Sequence, residues 1–352
     1  MRVGLLERLL RVVPDAEQAF RAPGRANLIG EHTDYNDGFV LPAALELATY
    51  VAGRRRDDGL VSVRSLDGEI DEHVDAVRRA LRDDEVEIAG FEGVVASDIP
   101  IGAGLSSSAA LEVALACALS VVALEPRRLA AVCHRAENVY LGTRSGIMDQ
   151  LVSAAGEAGH ALLIDCRDLT VTPIAVPRRL SLLVVDSGVR RELAESAYNE
   201  RVAECRAAAD ALGVSSLRDV TSLDGLTGVL LRRARHVVEE NRRVLAAAEA
   251  LRSERLDELG SLFRASHESL TWDFDVSTPE LDRLVALAEE ADGVIAARLT
   301  GAGFGGCTIN LVLADAAQAA GRDIVTRYAS QTGREARFWI SKPGPGAGPV
   351  PL

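Results

Sequence analysis

The stretch PIGAGLSSSAALEVALA, residues 100–116, joins a glycine-rich turn to a run of helix-forming residues. The β-like segment FEGVVASDI leads into it, so the sequence predicts a strand end, a tight turn and a helix start. Gly102 and Gly104 would let a ligand approach the backbone closely. The first helical turn adds free N–H groups and three hydroxyls, those of Ser106, Ser107 and Ser108. Because a helix N-terminus attracts anions, we expect phosphate binding here, with an N-capped helix as the structural alternative.

Lysine is nearly absent from the chain. Of the 39 basic residues, 38 are arginines, and Lys342 is the single lysine. The glycine-rich loop therefore lacks the lysine of a Walker phosphate loop. Mechanisms that need a Schiff-base lysine or a lysine general base are excluded, unless they use Lys342. The formal net charge is −13 and the basic residues are scattered, which argues against a nucleic-acid or anionic-membrane partner.

The length of 352 residues is more than one ordinary core needs, so we expect two domains. The first half mixes β-like runs with helices. The second half starts with helical stretches, among them residues 192–212, and ends with β-like runs around a glycine loop. This pattern predicts an α+β protein of two lobes, 1–177 and 178–352, with the Pro/Gly-rich SKPGPGAGPVPL as a loose C-terminal tail.

The cysteines bear on the cellular compartment. Five cysteines lie far apart and lack the spacing of a zinc site or a disulfide framework. We expect buried, reduced thiols and therefore a cytoplasmic protein. The N-terminal MRVGLLERLLRVVPDAEQAF carries charges at helical spacing, which indicates an amphipathic helix and neither a signal peptide nor a membrane span.

A second glycine loop occurs in LTGAGFGGCTINLV, residues 299–312. Gly301, Gly303 and Gly306 form a literal GxGxxG, but a dinucleotide fingerprint must open a helix. The residues that follow are β-branched and strand-like. We therefore expect a β-turn-β loop that lies against an active site, with a purely structural tight turn as the alternative.

A polar cluster lies in GRANLIGEHTDYNDGFVLP, residues 24–42. Glu31, His32 and Asp34 allow three interpretations. Carboxylates and an imidazole can bind the hydroxyls of a sugar, the segment can be a solvated turn, or it can hold a metal. We rank the sugar first and the metal last, because a loop set with no second histidine is a weak ligand set. Asp37, beside the turn formers, is expected to be structural.

Two further acids stand close to predicted helix ends. Asp149 in GIMDQ lies near a helix start, where the dipole favours a carboxylate. Glu137 lies on a helix that offers it no obvious partner, so a solvated face is its default interpretation. With a phosphate loop nearby, both acids fit phosphoryl transfer, which needs an acceptor-positioning base, oxygen ligands for Mg²⁺ and positive charge.

Taken together, these motifs resemble those of the galactokinases, within the GHMP small-molecule kinase superfamily. GRANLIGEHTDYNDGFVLP resembles their signature, PIGAGLSSSAALE the ATP motif, GIMDQ the segment of the catalytic aspartate, and LTGAGFGGCTINLV the third glycine motif. SAYNERVAEC and ASHESLTWDFDVSTPELD are also similar. The motifs follow the family order from about Pro23 to Val312.

The resemblance implies a role for each matching residue. Asp149 would be the base for the sugar C1 hydroxyl, with Arg25 as its partner. The sugar pocket would be lined by Glu31, His32, Thr33, Asp34, Gly146 and Tyr198. ATP phosphates would bind the loop formed by Gly102, Ala103, Gly104, Leu105, Ser106, Ser107 and Ser108. Ser108 and Glu137 would ligate Mg²⁺.

The resemblance also implies a fold and an activity. The fold would have an N-terminal lobe of the ribosomal S5 domain 2 type, a ferredoxin-like C-terminal lobe and the active site between them. The activity would be ATP- and Mg²⁺-dependent phosphorylation of D-galactose at C1. Two alternatives remain open: a related sugar 1-kinase acting on arabinose, galacturonate or N-acetylgalactosamine, and a non-catalytic sugar and ATP sensor.

Overall fold

A computed structural model describes residues 4–143, 145–189 and 194–352. Within these residues the helices are α1 (Gly4–Val12), α2 (Asp71–Asp83), α3 (Ser107–Leu119), α4 (Pro126–Arg135), α5 (Met148–Ala155), α6 (Ala194–Leu212), α7 (Gly228–Arg252), α8 (Leu256–Trp272), α9 (Pro279–Glu289) and α10 (Ala317–Thr332). The strands are β1 (Gln18–Asn27), β2 (Phe39–Val40), β3 (Pro42–Arg56), β4 (Val61–Ser65), β5 (Gly90–Ser97), β6 (His160–Asp165), β7 (Thr170–Ala175), β8 (Leu180–Asp186), β9 (Val294–Thr300), β10 (Cys307–Leu313), β11 (Arg337–Ser341) and β12 (Gly348–Pro349).

The N-terminal lobe is built on a five-stranded sheet in the order β12-β1-β3-β5-β4, with a smaller sheet β2-β6-β7 beside it. Only the pairing of β4 with β5 is parallel among the strand pairs of the described residues. Apart from Ser107, Ser108 and Glu112, helix α3 is apolar, and it contacts β1, β3, α2, α4 and α5. A helix without a polar face has to be enclosed in this way. The fold thus fixes both the start of α3 and β1, which carry candidate site residues.

The C-terminal lobe is built on an antiparallel sheet in the order β11-β8-β10-β9. Strand β8, LSLLVVD, is buried at every position. Leu183 and Val185 pack with the helices α9 and α10, whereas Leu182 and Val184 pack on the opposite face. Their alternation follows the two-residue period of a strand with two covered faces.

A continuous apolar cluster joins the two lobes. Leu28 and Leu41 from the N-terminal lobe share it with Leu182 and Val184 of β8 and with Val244 of α7. Contact between buried side chains of both lobes excludes water along this seam, which stabilises one arrangement of the lobes. The predicted α+β organisation in two lobes is confirmed.

The C-terminal tail departs from the prediction. The backbone N–H of Gly344 donates to the carbonyl of Ala44, and the N–H of Gly346 donates to the carbonyl of Gly156. Strand β12 then pairs antiparallel with β1. The expectation of a loose tail is wrong because proline and glycine limit side-chain packing but leave backbone carbonyls and most N–H groups free to bond.

The N-terminal segment forms the expected amphipathic helix α1, with Leu9 buried against the N-terminal sheet. Of the predicted helix 192–212, the first two residues lie outside the described part, and α6 runs from Ala194. Within the described ranges, no helix has both the length and the apolar character to cross a membrane.

Candidate active site

A cavity of about 610 Å³ opens where the glycine-rich loop, the polar stretch after β1, the start of α5 and the β9–β10 loop meet. Most of the predicted site residues line it, namely Arg25, Glu31, His32, Asp34, Gly102, Gly104, Ser106, Ser107, Ser108, Gly146, Asp149 and Tyr198. Four others do not reach its wall: Thr33, Ala103, Leu105 and Glu137. The structure thus assembles residues that are as far apart in the chain as Arg25 and Tyr198.

The cavity wall includes an ion pair between Arg25 on β1 and Asp149 on α5. Nε and Nη2 of Arg25 donate to the two carboxylate oxygens of Asp149 at 2.8 and 2.9 Å. Nη1 donates to the carbonyl oxygen of Gly104 at 2.6 Å, and the hydroxyl of Ser106 donates to Asp149. Paired, parallel hydrogen bonds of this kind fix direction as well as charge. The arginine therefore ties the carboxylate to the glycine-rich loop.

A β-bulge at Gly24 brings that loop against β1. The β1–β3 register shifts between Pro23 and Arg25, and the backbone N–H of Arg25 donates to the carbonyl of Leu105 at 3.1 Å. A Cβ on residue 24 would lie 2.6 Å from the same carbonyl oxygen. Only glycine permits this approach, since Cβ contacts below about 3 Å force atoms apart.

The glycine-rich loop has the predicted form. Gly102 and Gly104 have φ angles of 73° and 78°, and α3 begins at Ser107. Ser106 also adopts a left-handed conformation, with φ of 60°. The serines and glycines face the cavity, whereas Ala103 and Leu105 are buried in the apolar cluster behind the loop. The cavity therefore meets free N–H groups at a helix start and a row of hydroxyls.

Glu137 lies in a short π-helical turn, Ala136–Tyr140, and is buried. Its carboxylate accepts hydrogen bonds from the hydroxyl of Ser108 at 3.3 Å, from the amide of Gln150 at 2.7 Å and from the hydroxyl of Ser145. The default interpretation as a solvated face is therefore wrong. Its partners come from α3, α5 and the loop before α5, and sequence spacing gives no sign of that convergence.

The two predicted metal ligands, Ser108 and Glu137, are in contact beside the cavity. Hydroxyl and carboxylate oxygens are the hard ligands that Mg²⁺ prefers, and Mg²⁺ commonly takes one or two protein groups together with phosphate oxygens. The donor set therefore fits the ion. Across the described residues, no group of three or more histidine, cysteine, aspartate or glutamate side chains could hold a metal.

Asp34 and Asp149 both line the cavity, close enough for their charges to interact. Burial raises the pKa of Asp34 to about 6, and the nearby charge of Asp149 adds to this effect. Its carboxylate lies so close to Gly146 that a Cβ there would be 2.0 Å from Oδ2. Gly146 thus gives Asp34 its position at the wall.

The carboxylate of Glu31 is only 3% exposed. Oε1 accepts the backbone N–H of Gly301 at 3.0 Å, and Oε2 is paired with Arg298. Burial raises the pKa of this carboxyl above its usual range, and the charge of Arg298 offsets only part of that rise. Gly301 belongs to the second glycine loop, which joins β9 and β10 and lines the cavity as expected.

His32 lines the cavity, whereas Thr33 does not reach it. The ring nitrogens of His32 bond Tyr35 Oη at 2.9 Å and the carbonyl of Ala302 at 3.2 Å. Burial lowers the pKa of His32 to about 3, so the ring is neutral and donates from Nε2 to that carbonyl. Thr33 is fully buried, and its hydroxyl is within 2.8 Å of the carbonyls of Gly30 and Phe39. His32 forms part of the cavity wall, and Thr33 stabilises the turn behind His32.

Tyr198 on α6 completes the wall near His32, with ring centroids 5.7 Å apart. Burial raises the pKa of Tyr198 well above its usual range, so the phenol is neutral. Sequence reasoning missed several partners of the site, namely Ser145, Gln150, His236, Glu240 and Arg298. Apart from Ser145, which lies in the loop before α5, these residues lie in helical or strand-like stretches, where the sequence offers no signal beyond an isolated polar residue.

Comparison with known proteins shows where these features recur. Residues 12–55 match the galactokinase galactose-binding signature, residues 72–157 the GHMP kinase N-terminal domain, and residues 247–329 the GHMP kinase C-terminal domain. The chain is 46% identical over 358 residues to the galactokinase of Chloroflexus aurantiacus, covering 93% of this chain and 92% of that protein. It is 43% identical to the Homo sapiens galactokinase, with 95% and 92% covered.

Solved structures agree with these sequence matches. The crystal structure of Lactococcus lactis galactokinase complexed with galactose superposes with a TM-score of 0.90 at 34% identity, covering 98% of each chain. Methanococcus jannaschii mevalonate kinase, at 19% identity and a TM-score of 0.68, shares the fold. The predicted two-lobed GHMP kinase fold is confirmed.

Proposed function

The chain belongs to the galactokinase family of the GHMP kinases, and we propose that it transfers the γ-phosphoryl group of ATP to the C1 hydroxyl of D-galactose. The products are galactose 1-phosphate and ADP, which places the enzyme in galactose metabolism. One observation carries the proposal most directly. The Arg25–Asp149 pair lies between the glycine-rich loop and the polar stretch that contains Glu31 and Asp34.

Asp149 takes the part of the base. The C1 oxygen attacks the γ-phosphorus, its proton passes to the Asp149 carboxylate, and the bond to the β–γ bridging oxygen breaks to release ADP. Arg25 fixes the orientation of the Asp149 carboxylate and supplies positive charge beside the phosphoryl group as it is transferred. Charge stabilisation and positioning are the main protein contributions to phosphoryl transfer.

The glycine-rich loop takes the ATP phosphates. The backbone N–H groups at the start of α3 and the hydroxyls of Ser106, Ser107 and Ser108 supply donors without a lysine. We propose that Ser108 and Glu137 hold Mg²⁺, which neutralises phosphate charge when it is bound. Ser145 and Gln150 keep the Glu137 carboxylate turned towards Ser108.

The opposite side of the cavity takes the sugar. The carboxylates of Asp34 and Glu31 accept hydrogen bonds from sugar hydroxyls, and Tyr198 contributes an aromatic wall with a polar end. Gly146 leaves the room that Asp34 needs. His32 forms part of the cavity wall beside these residues, in its neutral form. We also propose a cytoplasmic location, supported by the five cysteines, which are present as thiols and not as disulfides.

An ADP-release assay over a panel of free sugars tests the proposal. D-Galactose should give by far the highest kcat/KM, ahead of arabinose, galacturonate and N-acetylgalactosamine. Preference for one of the other sugars would keep the kinase and change its substrate. Galactose binding without ADP formation would identify a sensor in place of an enzyme.

The variant Asp149→Asn tests the catalytic assignment. It should lower kcat by a factor on the order of a thousand or more, because the amide cannot accept the proton. Galactose binding, measured by calorimetry, should stay close to that of the native enzyme. Near-normal turnover would remove Asp149 from its role as the base.

A further inference from the structure

The backbone of the sugar-binding stretch is held from the other lobe. Nη1 of Arg298, on β9, donates to the carbonyl of Leu28 at 3.0 Å. Nε2 of His236, on α7, lies 3.1 Å from the carbonyl of Glu31. The carboxylate of Glu240, also on α7, accepts the N–H of Gly30 at 3.0 Å. Three side chains of the C-terminal lobe thus fix residues 28–31 of the N-terminal lobe.

Glu240 is itself held in charged form within the interior. Its carboxylate accepts Ser266 Oγ at 2.6 Å and Arg243 Nε at 2.6 Å. Burial would raise the pKa of Glu240, but its charged and hydrogen-bonding neighbours, first among them Arg243, together outweigh that effect, and the pKa falls to about 2. Nη2 of Arg298 lies 3.9 Å from the same carboxylate. Arg298 is therefore flanked by two carboxylates, those of Glu31 and Glu240.

Arg298 has no contact with solvent, and its guanidinium is paired with the Glu31 oxygen that Gly301 does not hold. An unpaired carboxylate at 3% exposure would be costly, and protonation or rotation would relieve that cost. Either change would remove an acceptor from the cavity wall. The direction and charge of Glu31 therefore depend on a residue that does not line the cavity.

We propose that Arg298 is a positioning residue for galactose binding, acting through the carboxylate of Glu31 and the backbone of residues 28–31. The inference rests on the proposed function, because it takes Glu31 as a sugar contact. It assigns Arg298 no contact with galactose or ATP. The ATP phosphates meet Ser106 and its neighbours on α3, away from this arrangement.

Another buried arginine provides a matched control. Arg233 on α7 is 2% exposed, and its guanidinium donates to Glu204 at 2.7 Å and to the carbonyl of Asp273 at 2.6 Å. It thus has the burial and the charge pairing of Arg298, but its hydrogen bonds go to residues outside the stretch 28–34. Arg233→Lys should cost stability and leave ligand binding unchanged.

The experiment compares Arg298→Lys with Arg233→Lys in the full chain. Galactose Kd is measured by calorimetry, and KM is measured for both substrates. Arg298→Lys should weaken galactose binding about tenfold, because one ammonium cannot hold Leu28 and Glu31 together, and should leave the KM for ATP within about twofold. Equal galactose affinity in both variants, or an equal loss for galactose and ATP, would overturn the inference.

A double-variant cycle isolates the path through Glu31. In a Glu31→Gln background, Arg298→Lys should have a much smaller effect on galactose Kd than it has in the native background, because the charge to be held is gone. Additive effects would overturn the inference.

If Arg298→Lys does not fold, Glu240→Gln takes its place in both comparisons with the same expected results and the same contradicting results. A native enzyme that binds no galactose would overturn the proposed function and this inference with it, whereas native binding with an unaffected variant would overturn only the inference.

Discussion

Two aspartates in the cavity differ in how their carboxylates are held. Asp149 accepts two hydrogen bonds from Arg25, which keeps its direction fixed. Asp34 is placed by the space above Gly146, and burial together with the charge of Asp149 raises its pKa to about 6. Asp149 is thus held in one direction, as its proposed role as the base requires, whereas Asp34 changes charge near pH 6.

Galactose affinity should therefore depend on pH through Asp34. Below about pH 6 the free enzyme carries a protonated Asp34, so galactose binding must release that proton if the carboxylate is the acceptor. The Kd for galactose should rise as the pH falls from 7 to 5, by at most about tenfold per unit. Calorimetry without ATP measures this directly. Asp34→Asn should bind more weakly with a flatter profile, and a flat native profile would contradict the prediction.

Glu112 on α3 should act as a neutral residue. Burial raises its pKa to about 9, and its carboxyl accepts the amide of Gln150 at 3.3 Å. The folded state thus binds a proton that the unfolded state loses above about pH 4.5, so this group's contribution to stability falls as the pH rises towards 9. Glu112→Gln mimics the protonated form. Its Tm relative to the native enzyme should increase between pH 6 and pH 8.5, and a constant or falling difference would contradict this.

At the scale of elements, the site depends on how β1, α3 and α5 meet. The bulge at Gly24 brings Leu105 against β1, and Arg25 then reaches both Gly104 and Asp149. Ser153 on α5 donates to the carbonyl of Pro23 at 2.8 Å, so α5 is anchored beside the same bulge. Asp149, Arg25 and the glycine-rich loop are therefore fixed by one local packing arrangement.

The variant Gly24→Ala should disturb Asp149, Arg25 and the glycine-rich loop together. The new methyl group would lie 2.6 Å from the carbonyl of Leu105, and the loop must move away from Arg25. We expect kcat to fall by roughly tenfold to a hundredfold and the KM for ATP to rise, since a misplacement of about 1 Å has such effects. Gly4→Ala is the control, because a Cβ there meets open space on α1. Unchanged kinetics for Gly24→Ala would show that the loop tolerates the shift.

At the scale of the whole molecule, the C-terminal segment returns to the N-terminal lobe. Besides β12, the N–H of Ala347 donates to the carbonyl of Ser153, and that of Gly346 donates to the carbonyl of Gly156. These carbonyls belong to the end of α5, whose start carries Asp149. The two lobes therefore share one polypeptide strap as well as the apolar seam.

Deleting residues 343–352 should destabilise the whole protein. The deletion removes β12, one of the two strands that pair with β1, and the bonds to the end of α5, so Tm should fall by about 3–5 °C, with a loss of kcat. Deleting only residues 351–352, both exposed, should change neither quantity. Thermal denaturation monitored by circular dichroism measures the difference. Equal Tm values for the two deletions would contradict a stabilising role for the strap.

The sequence alone was enough to predict the motifs whose conformation depends only on residues close by in the chain. The loop from Gly102 to Ser108 combines turn and helix-start signals, and Asp149 follows a helix start. The strand-like residues after Gly306 argued against a dinucleotide-binding loop, and strand β10 at these residues confirms the strand prediction. These are local properties, because backbone conformation and helix ends respond to residues only a few positions away.

Only the tertiary structure decided which residues meet across the chain. Glu137 gained partners from α3 and α5, His32 became part of a wall, and the tail became a strand. Arg298 and Glu31 are separated by 267 positions, yet they share one buried ion pair. Desolvation and long-range pairing depend on which surfaces come together in space, and no local pattern encodes them.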